Sequence, residues 1–324
     1  MSAQRKREAM LSYAMQDKFF AEVTHNLVDF GHEINFSLRG GAGAYQPFSL
    51  STEKIDTPEK QQQFSSGFWD MVEQGNISAK LCFSMLSSAD VNAHYFLHEL
   101  MHFYQDMHGL YLLPIHEQGV FPILLDAKSD IVAILFCEAW AEVEAIRTSW
   151  ALRESGHPSG WNGAMASADW RGLACAYDDD LNSGVDEAKA AANTFHRWYE
   201  GKHRRFYENH ALRIHEINLA RFKEGVENIN EADLTQNFRA LELPMLIARI
   251  PKGGIPKFFH QIDWESDVYA QVSTPDVCAR VQILEDVYGV DDNPNIQDIK
   301  CGAPPYLWHR LHAAQKAASE VLPQ

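Results

Sequence analysis

The stretch HYFLHELMHFYQD occupies residues 94–106 and contains the pentapeptide HELMH at residues 98–102. Serine and aspartate residues that favour helix starts precede it at positions 87–90, so we expect a helix that continues to about residue 108. Side chains four residues apart lie on one face of a helix, which allows both imidazoles to reach one ion at about 2.0–2.1 Å. Glu99 is turned about 100° away and flanks the open coordination position. The stretch therefore predicts an HExxH metal site.

A second long helix is predicted to begin at residue 126 or 129 and to end near residue 156. Its apolar stripe over residues 131–135 continues at helical spacing onto Glu138 and then Glu142, so both carboxylates are expected on the buried face. A buried carboxylate is costly unless it is paired, protonated or bound to a metal. Glu144, about 240° further round than Glu138, is expected to be solvated. The second helix thus offers carboxylates to the same site.

These two segments together resemble the gluzincin class of zinc metallopeptidases, in which a glutamate from a downstream helix completes HExxH. The segment EAWAE at residues 138–142 is similar to the third-ligand segment of that class. The resemblance covers residues 80–145. It implies one Zn²⁺ per chain with the following residues around it: His98, His102 and Glu138 as ligands, Glu99 as general base, and Glu142 as a carboxylate that orients a ligand imidazole.

The resemblance also implies an activity, the hydrolysis of peptide bonds in a peptide or protein substrate. Zinc-activated water would attack the carbonyl, and Glu99 would accept its proton and deliver it to the leaving amine. A Tyr or His from a later helix would help to hold the oxyanion, and four residues are candidates: Tyr199, Tyr207, His210 and His215. Of these, we assign Tyr207 and His215 as catalytic.

Three further polar residues lie on the predicted HELMH helix near the two imidazoles. Gln105 and Asp106 lie one turn beyond His102, and either could support the imidazoles; we assign Asp106 to this role. His94 lies one turn before His98. A fourth ligand from that position would be displaced by one turn, so we expect His94 in the core or beside a ligand.

The fold class predicted for the whole chain is α+β and mainly α-helical, a zincin-like metallopeptidase fold with a small edge sheet. The candidate strand is KLCFSML at residues 80–86, placed where zincins carry the edge strand that binds extended peptide. Residues 109–125, 156–172 and 178–180 are expected to be irregular connections. Besides the two helices above, helical segments are predicted at residues 5–33, 57–75, 185–229, 275–288 and 304–321.

Two lobes of one catalytic unit are expected, with the active-site cleft between them. The N-terminal lobe, residues 1–155, would carry the HELMH helix, the edge strand and the third-ligand helix, and residues 156–324 would form a helical C-terminal lobe. The boundary is expected between residues 156 and 184.

The composition limits the partners and the compartment. The 324 residues carry 28 Lys and Arg against 44 Asp and Glu, so the formal charge of −16 disfavours nucleic acid and anionic membranes. The longest strongly apolar run, residues 131–137, is far shorter than a membrane span, and no Sec-type signal is recognisable. A cytoplasmic protein without membrane or nucleic-acid partners is expected.

Two other interpretations of the histidines and glutamates stay open at this point. Glu22 with His25 and Glu99 with His102 form two ExxH motifs, so a di-iron carboxylate oxidoreductase of the ferritin-like type, bridged by Glu138, is the first alternative. The second is a non-catalytic binding module with a closed structural zinc site. A closed site needs a fourth protein ligand, for which His94 is a candidate.

Overall fold

The computed structural model describes residues 2–29, 33–38, 44–46, 80–107, 127–223, 254–264, 266–270 and 275–288, together with a few single positions. Helices predominate, as the sequence predicted, and a small sheet accompanies them. Within these ranges no helix combines the length and the apolar character that crossing a membrane requires. The predicted helices at 57–75 and 304–321, and nearly all of the connection at 109–125, lie outside the described residues.

Two helices begin the chain where one was predicted for residues 5–33. Helix α1 spans Ala3–Ala14 and α2 spans Lys18–Asp29. The prediction of one helix was wrong because Asp17 starts a second one. Its side-chain Oδ1 accepts a hydrogen bond from the backbone N–H of Phe20 at 3.0 Å, which is an N-cap contact.

A three-stranded sheet contains β1 (Glu33–Ser37), β2 (Ala44–Gln46) and β3 (Lys80–Ser84), in the order β1-β3-β2. Strand β3 confirms the predicted strand, but its assignment as an edge strand was wrong. It pairs in parallel with β1 and antiparallel with β2, so it is the central strand. Its backbone groups are therefore used inside the sheet along residues 80–82, where both neighbours are present.

The two helices that carry the predicted metal site have nearly the expected bounds. Helix α3 spans Ala89–Met107, and α4 spans Ala127–Glu154. Almost every residue of α4 from Ala127 to Ile146 is buried, polar ones included. A helix that is buried on all sides lies in the middle of its domain. Helix α4 is accordingly the central element on which α3 and the later helices pack.

Four helices follow α4: α5 (Ser159–Ala166), α6 (Arg171–Asn182), α7 (Glu187–Glu200) and α8 (Lys202–Lys223). The predicted connection at 156–172 was therefore wrong in part, and the one at 178–180 was wrong. The acidic triplet lies within α6, where two of its three carboxylates have partners on neighbouring helices. Asp178 accepts from Arg153 at 2.8 Å and Asp180 accepts from Arg197 at 2.8 Å.

The described C-terminal part contains a 3-10 helix, Lys257–Gln261, and two α-helices, α9 (Asp267–Ala270) and α10 (Pro275–Tyr288). Helix α10 confirms the prediction at 275–288. The 3-10 helix supplies Phe258 and Phe259 to the core, where the ring of Phe259 lies 5.2 Å from that of Trp140 on α4. The division into two lobes at residue 155 stays a prediction.

Candidate metal centre

The side chains of His98, His102 and Glu138 meet at the interface of α3 and α4. The Nε2 atoms of the two imidazoles are 3.0 Å apart. Glu138 Oε2 lies 3.4 Å from Nε2 of His98 and 3.5 Å from Nε2 of His102. All three residues are buried, with 4% exposure or less. Two imidazole nitrogens and one carboxylate oxygen therefore form a compact triangle inside the protein.

The triangle has the dimensions that a zinc ion requires. Three tetrahedral ligand atoms that each lie about 2.0–2.1 Å from zinc are about 3.3 Å from one another. The three observed separations, 3.0, 3.4 and 3.5 Å, surround this value. Glu138 Oε2 is buried and makes no hydrogen bond within the described part of the chain. The donor set of two imidazoles and one carboxylate is one that catalytic zinc sites use.

The orientation of the His98 ring is set by Glu142. Nδ1 of His98 lies 3.1 Å from Glu142 Oε2, and Nε2 of His94 lies 3.0 Å from Glu142 Oε1. A carboxylate only accepts hydrogen bonds, so both imidazoles donate to it. The proton of neutral His98 therefore resides on Nδ1, which leaves the lone pair of Nε2 directed into the triangle. Glu142 thus joins His94 to His98.

The orientation of the His102 ring is set by Gln105. Gln105 donates from Nε2 to the backbone carbonyl of Cys137 at 2.8 Å, which turns its Oε1 towards His102. Nδ1 of His102 lies 2.9 Å from that oxygen and donates to it. Nε2 of His102 therefore also presents a lone pair to the triangle. We assigned the support of an imidazole to Asp106, whose side chain lies outside the described residues, whereas the contact with His102 is made by Gln105.

The electrostatics of the site favour positive charge. Burial raises the pKa of the Glu138 and Glu142 carboxyls, but the neighbouring imidazoles outweigh it and hold the pKa of Glu138 well below its ordinary range and that of Glu142 at about 2. Burial lowers the pKa of His98, yet the neighbouring carboxylates of Glu138 and Glu142 raise it well above 6.5. With neutral imidazoles, the carboxylates of Glu138 and Glu142 together carry a charge of about −2, which one divalent cation would balance.

The remaining predicted site residues occupy different surroundings. Glu99 is buried on α3 between the two histidines in sequence. Tyr207 stacks on Trp198 with ring centroids 5.9 Å apart. His215 Nε2 lies 2.8 Å from Asp130 Oδ2, and both side chains are buried. Asp130 precedes Glu138 by eight residues, about 12 Å along the axis of α4. The catalytic roles of Glu99, Tyr207 and His215 stay predictions.

Glu144 corrects an expectation about α4. We expected it to be solvated, but its side chain is buried and pairs with Arg147, whose Nη2 lies 2.7 Å from Glu144 Oε2. Arg147 also reaches Glu187 on α7 at 3.0 Å. The prediction was wrong because α7 covers this side of α4 and supplies the pair with a third charge.

An aromatic residue that the sequence did not single out lies beside the centre. The ring of Trp170 stacks on that of His98 with centroids 6.0 Å apart and an interplanar angle of 27°. His203 stacks on Trp170 in turn, with centroids 4.3 Å apart. Trp170 lies in a Trp- and Gly-rich stretch predicted to be a connection, and a tryptophan in such a stretch was the only available signal.

Part of the chain, including the helices that carry this site, is similar to a known protein family. Residues 75–217 match the model of a family described as "Putative metallopeptidase family". The central region of the chain is therefore similar to that family. The match covers less than half of the chain, but it includes α3, α4 and His215. No curated protein and no solved structure is detectably similar to the chain.

Proposed function

We propose that the protein is a zinc-dependent metallopeptidase of the gluzincin type, with His98, His102 and Glu138 as the metal ligands. One observation carries the proposal. Both Nδ1 atoms are engaged, by Glu142 and by Gln105, so three electron-pair donors converge on one buried point. Such an arrangement is repulsive unless a proton or a cation lies between the donors. The similarity of residues 75–217 to a metallopeptidase family supports the proposal.

The cation bound there would act as a Lewis acid that lowers the pKa of water and polarises a substrate carbonyl. The residues of this chain supply the rest of the chemistry. Glu99, a buried residue that lies between the two histidines in sequence, would accept the proton of the attacking water and pass it to the leaving amine. Glu142 and Gln105 hold the two imidazoles in the tautomers that coordinate a cation. Tyr207 and His215 remain proposed donors to the developing oxyanion.

The described residues argue against the two alternatives. A di-iron centre would need Glu22 and His25 in the core beside Glu99 and His102, yet both side chains of α2 are exposed. A closed structural zinc site would need a fourth protein ligand. Among the described residues the converging ligand atoms come from His98, His102 and Glu138, and His94 instead bonds through Nε2 to Glu142 Oε1 at 3.0 Å.

The substitution Glu99→Gln tests this function directly. We expect the purified wild-type protein to contain one zinc per chain by mass spectrometry and to cleave unfolded protein substrates or a peptide library. The variant should retain the zinc and lose at least 100-fold in activity, since the general base is removed. Glu154→Gln, an exposed glutamate on the same central helix as Glu138, is the matched control and should keep full activity. Full activity of Glu99→Gln would refute the mechanism.

The compartment and the substrate remain proposals as well. We propose that the protein acts in the cytoplasm on peptides or proteins, without nucleic-acid or membrane partners. The excess of acidic residues supports the absence of nucleic-acid and membrane partners, since it disfavours binding to phosphate-rich surfaces. Fractionation of the cells that produce the protein, followed by immunodetection, would test the compartment.

A further inference from the structure

The ring of His98 is held from two directions. Its Nδ1 atom is bonded to Glu142 at 3.1 Å, and its face is covered by Trp170, with an interplanar angle of 27°. A single hydrogen bond fixes one nitrogen but still allows the ring to tilt about the line through that bond. A stacked aromatic face restricts this tilt, because rotation of either ring separates the surfaces or makes them clash.

The segment that carries Trp170 is attached to the first turn of α8. Lys202 Nζ lies 2.5 Å from Asp169 Oδ1, and His203 Nε2 donates to the backbone carbonyl of Asp169 at 3.1 Å. The ring of His203 also stacks directly on Trp170 with centroids 4.3 Å apart and an interplanar angle of 23°. Three contacts from α8 therefore hold the two residues that precede α6.

Close helix packing brings this segment to the metal centre. Gly163 on α5 faces the backbone of Asp90 on α3, and a Cβ atom built on Gly163 would lie 2.1 Å from the carbonyl oxygen of Asp90. The absence of a side chain lets α5 approach α3 more closely than any other residue would allow. Trp170 follows four residues after α5 ends and is thereby placed against His98 on the same helix α3.

We propose that Trp170 is a positioning residue for the metal ligand His98, and that His203 holds Trp170 in place. The proposal rests on the proposed function, since it requires that His98 coordinate a metal. In this arrangement the start of α8 acts on the metal centre through two stacked rings without contributing a ligand. Loss of Trp170 would leave His98 with its Glu142 bond but with a wider range of ring orientations, so the centre would bind zinc less tightly.

Zinc affinity, measured by competition with a chromophoric chelator, tests the proposal without reference to activity. Residues that support a ligand from outside the coordination sphere contribute about 10- to 100-fold in metal affinity. We expect Trp170→Ala to weaken zinc binding by about this factor. Trp170→Phe, which keeps a stacking ring, should recover most of the loss, and His203→Ala should give a smaller loss of the same kind.

Trp161→Ala is the matched control, because Trp161 and Trp170 are each 6% exposed, whereas Trp161 packs on Arg153. Both alanine variants should lose thermal stability, but only Trp170→Ala should lose zinc affinity. Equal zinc affinity of the two variants, with a zinc-binding wild type, would overturn the positioning role alone. If the wild type binds no zinc, the proposed function fails and this role fails with it. Should Trp170→Ala not fold, the comparison of His203→Ala with wild type decides the matter, since unchanged zinc affinity in His203→Ala contradicts the proposal.

Discussion

Glu142→Gln should weaken the metal centre without removing a ligand. Glu142 is completely buried and uses each carboxylate oxygen for a different imidazole, at 3.0 Å from His94 and at 3.1 Å from His98. Glutamine has nearly the same shape, but it offers only one acceptor, and its other end is an NH₂ donor. The variant therefore cannot accept from both imidazoles.

Either orientation of the glutamine amide in this variant is unfavourable for the metal centre. If its NH₂ group faces His98, Nδ1 must accept, the proton moves to Nε2, and His98 no longer coordinates metal. If its NH₂ group faces His94, the proton of that ring moves to Nδ1, which is buried and has no hydrogen-bond partner among the described side and main chains. A buried donor without a partner costs about 1–3 kcal/mol. We therefore expect zinc to bind about 10- to 100-fold more weakly, the range found for partners of metal ligands.

The assay is chelator competition at neutral pH, with circular dichroism to verify folding. Glu144→Gln is the matched control, since Glu144 lies two residues further along α4 and is also buried, but pairs with Arg147. Its zinc affinity should equal that of the wild type. A folded Glu142→Gln variant with wild-type zinc affinity would refute the proposed role of Glu142, and a loss of affinity in Glu144→Gln would show that the effect is not specific to the centre.

Three further outcomes are expected. The pKa of His98 is raised in the folded protein, so protonation of His98 stabilises the fold. This stability is fully present below the unfolded pKa of about 6.5 and is lost as pH rises through the folded pKa. Chelator-treated protein should therefore melt at lower temperature as pH increases from about 6.5. Stabilisation by added zinc should grow over the same pH range, because ligand imidazoles must be neutral. Melting temperatures that change equally with pH in the presence and absence of zinc would contradict this. Gln105→Leu should weaken zinc binding about 10-fold or more, as read by chelator competition, since His102 loses its acceptor. Gly163→Ala should destabilise the protein by about 1–3 kcal/mol in denaturant unfolding, whereas Gly172→Ala, with open space around its Cβ position, should not, and equal midpoints would refute the packing argument.

The helices that carry the site were predictable because their signals are local. Capping residues, helical spacing and the apolar stripe of α4 are all contained within the segments themselves, and α3 and α4 have nearly the predicted bounds. The place of β3 in the sheet was not predictable in this way. Its neighbour β1 pairs Glu33 with Lys80 across 47 residues, and β2 occupies the other side. Such pairings depend on tertiary contacts that periodicity does not contain.

The metal ligands could likewise be predicted from local sequence patterns, whereas the residues that support them could not. The spacing within HELMH and the downstream glutamate drew attention to His98, His102 and Glu138, which the structure brings together. Gln105 could be singled out over its neighbour Asp106 only once the carbonyl of Cys137, on another helix, fixed its amide. The contact of Trp170 with His98 could not be predicted either, because it depends on the close approach of α5 to α3.

X-ray absorption spectroscopy of the zinc-loaded protein measures the coordination shell itself. We expect one zinc per chain with two imidazole nitrogens and one carboxylate oxygen at about 2.0–2.1 Å, plus a light atom from solvent. Substituting His98 or His102 by alanine should remove one imidazole from the shell, whereas replacing the exposed His25 should leave it unchanged. The proposed centre would be contradicted by sulfur in the coordination shell, by a pair of metal ions, or by a spectrum that does not change when His98 or His102 is replaced.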